Sequence, residues 1–269
     1  MNAEEREKSV IDYYRQYDES ARLQSAYGQL EFAHMSELLL RYFPAAPARV
    51  CDIGGAAGDY TFLFAGHGYE AFLLDIVPHH IELARKRAEG RQDIDPAHFV
   101  VGDALALPYE DNSFDAVFLG GPLYHLTQES DRVKALREAW RVLKPGGVLT
   151  AYAIGRFSTY FYGIHEGLVY RDGFSQMLRK EVDTGRRYSY QQGALDNAYF
   201  HDTKQLRQET EAAGFRSPVL RGVIGAAWMT PDFDERWQQE REREIFLDLA
   251  RMAETIPDAC SKIFIAAEK

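Results

Sequence analysis

The sequence predicts a doubly wound α/β fold, a largely parallel sheet with helices on both faces. Three observations predict it. Short apolar runs alternate with amphipathic stretches from residue 49 to residue 154, the beat of a parallel sheet joined by crossover helices. Within that region, Val50-Cys51-Asp52-Ile53-Gly54-Gly55-Ala56-Ala57-Gly58-Asp59 reads as an apolar strand running into a glycine-rich turn and a helix. Such a turn lets backbone N–H groups approach a ligand closely. Third, Asp75 closes the next apolar run, Ala71-Phe72-Leu73-Leu74. It stands about 20 residues beyond the glycines, where this fold places a ribose-binding carboxylate. Together they point to an adenosine-containing cofactor at the carboxyl end of the sheet.

The elements follow in order. Glu4 to Tyr17 and Ser20 to Phe43 read as two helices, the second carrying Leu30, Ala33 and Leu38 and stopping at Pro44. Arg49–Ile53 is a strand, and a helix runs from Gly58 to about Gly66. Glu70–Asp75 is a strand, and Pro78–Glu89 a helix with proline in its first turn. Strands at His98–Val101 and Phe114–Leu119 end at Gly102-Asp103 and Gly120-Gly121-Pro122. Asp131–Leu143 is a helix with Val133, Leu136, Trp140 and Leu143 on one face, and Lys144-Pro145-Gly146-Gly147 turns it into strand Val148–Ile154.

From Gly155 to about Asn197 the beat stops. Phe157, Tyr160, Phe161, Tyr162, Tyr170, Phe174, Tyr188 and Tyr190 crowd this stretch, which reads as an inserted, aromatic-rich cap. The beat resumes with a helix at Asp202–Ala213 and a strand from Phe215 to about Val223. Trp237–Ile256 is an amphipathic helix expected to turn Ile245, Leu249, Met252 and Ile256 inward, and Lys262–Ala267 is the last strand. The expected organisation is one domain over 1–269: an N-terminal helical lid (1–47), a cofactor-binding core (48–154), the cap (155–200) and the C-terminal part of the core (201–269).

A net charge of −10 over 269 residues argues against a nucleic-acid partner, which calls for a basic stripe. Arg85-Lys86-Arg87 reads as a solvated helix face. Two cysteines make no disulfide framework, Cys51 should be buried and inert, and neither has metal-ligand spacing, so no metal is expected. Met1 to Lys8 is charged and lacks the apolar core of a signal peptide, and no apolar run approaches membrane-spanning length. A cytoplasmic protein without membrane contact is the expectation, either monomer or homodimer.

The glycine pattern is shared by nicotinamide, flavin and S-adenosylmethionine sites. Asp52, just before the first glycine, would lie near negative phosphates in a pyrophosphate site. It suits a cationic ligand carrying an ammonium and a sulfonium group.

Further segments narrow the choice. Val50–Gly58, Asp75, Gly102-Asp103-Ala104-Leu105-Ala106-Leu107-Pro108, Ser113-Phe114-Asp115-Ala116-Val117 and Arg141-Val142-Leu143-Lys144-Pro145-Gly146-Gly147 resemble the class I S-adenosylmethionine-dependent methyltransferases. The resemblance is strong over residues 48–154 and weaker beyond. Ala56 departs from the usual glycine triplet. The resemblance implies a Rossmann-like seven-stranded sheet with its last strand antiparallel, and S-adenosyl-L-methionine as cofactor with S-adenosyl-L-homocysteine as product. It implies that Asp52, Gly54, Gly55 and Gly58 surround the methionine part. Asp75 would take the ribose hydroxyls and Ile76 would pack on adenine. Asp103 and Ala104 would hold the adenine edge, and Gly120 would open the loop facing the methyl group.

His125 lies in that loop and is suited to act near neutral pH. It reads as a base, as a substrate hydrogen-bond partner, or as a residue that only shapes the pocket. Tyr124 beside it points to the cofactor or into the core. Tyr14 and Arg22, with Tyr13 and Tyr17, are candidates from the N-terminal helices. His165, Glu166 and His201 are polar candidates around the cap, and Trp228 with Met229 a hydrophobic wall. The expected reaction is in-line methyl transfer to an oxygen or nitrogen of a small, partly apolar molecule. The alternatives are a macromolecular substrate, a non-catalytic S-adenosylmethionine-binding protein, or a nicotinamide oxidoreductase.

Overall fold

The computed structural model describes residues 3–15, 19–187 and 197–269. Tyr17, Tyr188 and Tyr190 lie outside the described residues.

In chain order, α1 (Ala3–Tyr14), α2 (Glu19–Gln24) and α3 (Ala26–Tyr42) precede the sheet. The single helix expected from Ser20 is broken at Ser25. Its hydroxyl accepts from Gly28 N–H at 3.0 Å and donates to Arg22 O at 2.7 Å, capping α3. A Cβ at Gly28 would fall on the Arg22 carbonyl, so only glycine lets α2 fold back on α3 at this point.

Then follow β1 (Arg49–Ile53), α4 (Asp59–Gly66), β2 (Glu70–Asp75), α5 (Pro78–Ala88), β3 (Phe99–Val101), β4 (Phe114–Leu119), α6 (Pro122–His125), α7 (Glu129–Val142) and β5 (Leu143–Ile154). The region expected to be a cap holds α8 (Ser158–His165) and α9 (Phe174–Thr184). The chain closes with α10 (Thr203–Ala212), β6 (Arg216–Gly222), α11 (Phe233–Trp237), α12 (Glu240–Ala253) and β7 (Lys262–Glu268).

The seven strands form one sheet in the order β3-β2-β1-β4-β5-β7-β6. β1 pairs in parallel with β2 and β4, β3 with β2, and β5 with β4, whereas β7 runs antiparallel between β5 and β6. The antiparallel last strand thus fills the gap between β5 and β6. β5 starts earlier than expected, at Leu143, because residues between Phe114↔Leu143 and Ala116↔Val148 bulge at Pro145-Gly146-Gly147.

The sheet separates two apolar cores. One holds Val50, Leu73 and Phe118 with residues of α3, α4, α5 and α12; the other holds Cys51, Ile53, Val117 and Leu149 with residues of α7 and α10. Alternate residues of β1 and β4 therefore feed opposite cores, as the pleat requires. Cys51 is fully buried, and burial raises its thiol well above the usual range.

Two helix faces differ from expectation. On α7 the buried row is Ala135, Leu136, Ala139 and Val142, while Trp140 stays 37% exposed under Lys269, whose Nζ is 4.1 Å from the ring centroid. The last long helix is two helices, parted at Gln238-Gln239, and α12 buries Phe246, Ala250 and Ala253. Ile245, Leu249, Met252 and Ile256 are 41–68% exposed. Both rows have helical spacing, so periodicity does not choose between them. The alanine row lets α12 lie against α3, where Arg251 bridges to Glu37 and Glu254 to Arg41 and His34.

Phe246→Ala should therefore cost about 3–5 kcal/mol in denaturant unfolding. Met252→Lys should change stability by no more than about 0.5 kcal/mol. A large loss from the lysine variant would restore the inward-facing row.

Candidate active site

The strand order reverses between β1 and β4, and the loops leaving these two strands meet there. Gly54, Ala56 and Gly58 alternate in the left-handed region, with φ of 74°, 49° and 87°. A Cβ on Gly54 would fall on the ring of Pro122, so the two loops touch only because that residue is glycine. Gly54 N–H is held by Leu74 O at 2.7 Å and Gly120 N–H by Ile53 O at 3.0 Å.

Asp75, at the end of β2, ties this arrangement together. Its Oδ2 accepts from Ala56 N–H at 2.9 Å, and its Oδ1 accepts from Val77 N–H at 2.9 Å and lies 3.1 Å from His80 Nδ1. Asp52 lies beneath the glycine loop and is fully buried. Its Oδ2 accepts from the Thr61 hydroxyl at 2.7 Å, while Oδ1 has no partner. Burial pushes its carboxyl up to about 7, opposed by the Thr61 hydrogen bond and reinforced by Asp75 and Asp59.

Two small cavities open beside this loop. One of about 60 Å³ is bounded by Asp75, Ile76, Asp103, Ala104 and His125, with Arg6 and Tyr14 of α1 across it. The other, about 50 Å³, is bounded by Gly54, Gly55, Gly120, Tyr124 and Tyr152. Tyr14 borders both. Its hydroxyl is 3.0 Å from His125 Nε2 and 3.5 Å from the Tyr124 hydroxyl, and its ring meets His80 edge-on at 5.0 Å. Arg6 donates to Asp103 at 2.5 Å. Burial lowers His125 to about 4, the nearby Asp75 opposing, so its imidazole is neutral at pH 7.

A larger cavity of about 820 Å³ is lined by Arg22, Tyr27, Ile154, Tyr162, His165 and Trp228, among others. It neighbours the second small cavity: Arg22 and Ile154 line the large one, Leu23 and Tyr152 the small one. Arg22 is ion-paired with buried Glu31 at 2.8 Å, which also takes Lys262 at 2.5 Å. The Trp228 ring is edge-on to His165 at 4.8 Å and to Tyr27 at 5.3 Å.

The structure thus brings Gly54, Gly55, Asp75, Ile76, Asp103, Ala104, Gly120, Tyr124, His125 and Tyr14 to one cleft, and Arg22, His165 and Trp228 to the adjoining cavity. Asp52 lies under the cleft, and Gly58 is the N-cap of α4. His201 does not belong to either group. It is fully buried, with Nε2 at 3.1 Å from Glu209 on α10, and its backbone N–H is held by Ile154 O at 2.8 Å. Sequence reasoning missed Arg6 and His80. His80, five residues after the acid that ends β2, carried a faint positional signal; nothing around Arg6 marked it. Among the described residues, no three His, Cys, Asp or Glu side chains come together to hold a metal ion. No helix among them is long and apolar enough to cross a membrane.

Residues 51–151 match the methyltransferase domain family. The ubiquinone/menaquinone biosynthesis C-methyltransferase UbiE of Ruegeria is 32% identical over 188 residues, covering 67% of this chain and 71% of that protein. The demethylmenaquinone methyltransferase of Deinococcus radiodurans is 30% identical over 188 residues, covering 68% and 74%. The crystal structure of a SAM-dependent methyltransferase from Methanosarcina mazei shares the fold, with a TM-score of 0.59 at 18% identity over 86% of this chain and 96% of that one. The chain belongs to the class I S-adenosylmethionine-dependent methyltransferases. It is an enzyme, and S-adenosyl-L-methionine is its cofactor.

The residues present fit that cofactor. Gly54, Gly55 and Gly58 let the loop close down on Pro122, Asp52 and Phe62, and the buried Asp52 Oδ1, which has no hydrogen-bond partner, offers a cationic ligand a counter-charge. In the free protein, the raised Asp52 carboxyl contributes stability below about pH 4, the ordinary aspartate value, that is lost as pH rises through about 7. A cation favours the ionised carboxylate. Cofactor affinity, measured by calorimetry from pH 5.5 to 8, should therefore increase as pH rises through about 7. Asp52→Asn should flatten that dependence, and a step that survives the substitution would assign it elsewhere.

Ala56 holds a left-handed conformation that costs a β-carbon residue roughly 1–2 kcal/mol, against about 0.5–1 for the added freedom of glycine. Ala56→Gly should raise unfolding stability by up to about 1 kcal/mol without loss of cofactor affinity. A destabilised variant would mean that the Ala56 methyl is a packing contact.

Proposed function

We propose that this methyltransferase alkylates a ring carbon of a small oxygenated aromatic acceptor of the hydroquinone type. The observation that carries the reading is the position of the half-buried His125, which lines the cofactor cleft with its Nε2 at 3.0 Å from the Tyr14 hydroxyl. The oxygen or nitrogen acceptor expected from the sequence has less support, because the relatives are named as acting on carbon or on a quinone precursor.

In this reading Asp75 and Ile76 hold the ribose and adenine, Asp103 and Ala104 the adenine edge, and the Gly54–Gly58 loop with Asp52 the methionine end. Bound S-adenosylmethionine supplies an electrophilic methyl group. The described residues of 1–47 act as a lid and those of 155–200 as a cap within one domain, and the acceptor enters the cavity of about 820 Å³ that they border, along Tyr162, His165 and Trp228. Arg22 and its buried partner Glu31 fix one polar corner of that space.

The acid–base balance favours carbon. Burial lowers the basicity of the His125 imidazole, which makes it a poor base for an ordinary phenol. Carbon methylation asks for something different. The newly methylated ring carbon must lose its hydrogen, and that proton is strongly acidic because its departure restores aromaticity. His125 Nε2, directly or through the Tyr14 hydroxyl at 3.0 Å, accepts it downhill.

The test is incubation with S-adenosylmethionine and reduced 1,4-naphthoquinone, with products identified by mass spectrometry and NMR. A C-methyl product is expected. His125→Ala should lower kcat by about 10²–10⁴ while S-adenosylhomocysteine affinity stays within about twofold. An O-methyl ether as the product, or full activity of the alanine variant, would overturn the reading.

A further inference from the structure

The methyl-facing loop is short of support from its own residues. Helix α6 is a single turn, Pro122–His125, closed by Leu126 N–H on Pro122 O at 3.1 Å. The carbonyls at its C-terminal end have no partner within the helix. Two of them are clamped from outside. Tyr124 O accepts from Tyr199 N–H at 2.8 Å, and Leu126 O accepts from Arg132 Nη1 at 3.0 Å. These are the residues on either side of His125.

Both clamps belong to one buried network. Arg132 of α7 is 2% exposed and Glu209 of α10 is 4% exposed. The guanidinium grips the carboxylate through Nε, at 2.9 Å to Oε2, and through Nη2, at 2.6 Å to Oε1, which leaves Nη1 for the loop. The same guanidinium lies over the Tyr199 ring, 3.6 Å from its centroid, and so holds the residue that makes the other clamp. His201 Nε2, 3.1 Å from Glu209 Oε2, anchors the far side. A buried ion pair is a poor way to gain stability, since apolar residues of similar volume serve as well or better. A planar fork with donors in fixed directions is a good way to hold a backbone in place.

We propose that the Arg132–Glu209 pair is a positioning device for His125. It fixes the carbonyls on both sides of that residue, and thereby sets where the imidazole stands at the cofactor cleft. Arg132 and Glu209 touch neither cofactor nor acceptor and act only through the loop. The inference rests on the reading of His125 as the proton acceptor, but its test does not require that the acceptor class be right.

The experiment uses the full chain labelled at its histidine rings, with signals assigned by single substitutions. Arg132→Lys keeps the charge and loses the fork; Glu209→Gln is the second variant, should the first fail to fold. In either variant the His125 ring signal should move together with that of His201, while those of His34, His67 and His98 stay. S-adenosylhomocysteine affinity should remain within about twofold. Where reduced 1,4-naphthoquinone is turned over, kcat should fall roughly tenfold or more at an unchanged cofactor KM; where it is not, the ring signals decide alone. Movement of His201 without His125 would overturn the proposal. So would a tenfold loss of S-adenosylhomocysteine affinity with every histidine signal displaced, which is the behaviour of a residue that only holds the fold.

Discussion

The whole cleft hangs on the hydrogen bonds to Asp75. One carboxylate oxygen takes the Ala56 N–H of the glycine loop, and the other takes Val77 N–H at the start of α5 and faces His80. Two strand ends and one helix start are thereby set against each other around a single buried acid. The loop's left-handed turns, its contact with Pro122 and the closeness of Gly120 to Ile53 all presuppose that anchor. Burying a carboxylate is costly unless its oxygens are satisfied. Here the partners that satisfy it are the backbone groups whose placement the site requires.

Much of this was legible in the sequence. Strands buried on both faces are written as continuous apolar runs, and Ala71–Leu74 and Ala116–Leu119 carry that mark. The glycines and Asp75 announce themselves by spacing, because a close backbone approach demands glycine and an anchor for the loop's N–H groups at the strand end demands an acid. The break at Ser25 and the parting at Gln238-Gln239 left weaker traces. A serine within a helical pattern is common, and its role as a cap depends on α2 folding back over Gly28.

Where two rows of one helix share the same spacing, as on α12, the sequence has no way to rank them. The choice there is made by how closely α3 can approach. His201 failed for a related reason. A histidine near a cap reads as a pocket residue, whereas the fold pairs this one with Glu209 in the interior. The partnerships Arg6–Asp103 and Arg132–Glu209 join residues 97 and 77 positions apart. Only the folded chain brings such pairs together.

The first helix has a bearing on time as well as on place. Tyr14 borders both small cavities, and Arg6 is bound to Asp103 at the edge of the first. The spaces left beside them, about 60 and 50 Å³, are far below the roughly 300 Å³ or more that a ligand of nucleoside size needs. With the nucleoside held at Asp75 and Asp103 as proposed, its arrival and departure would call for a displacement of α1. On that reading, the residence time of the spent cofactor depends on how often a twelve-residue helix releases Arg6 from Asp103 and Tyr14 from His125, Tyr124 and His80.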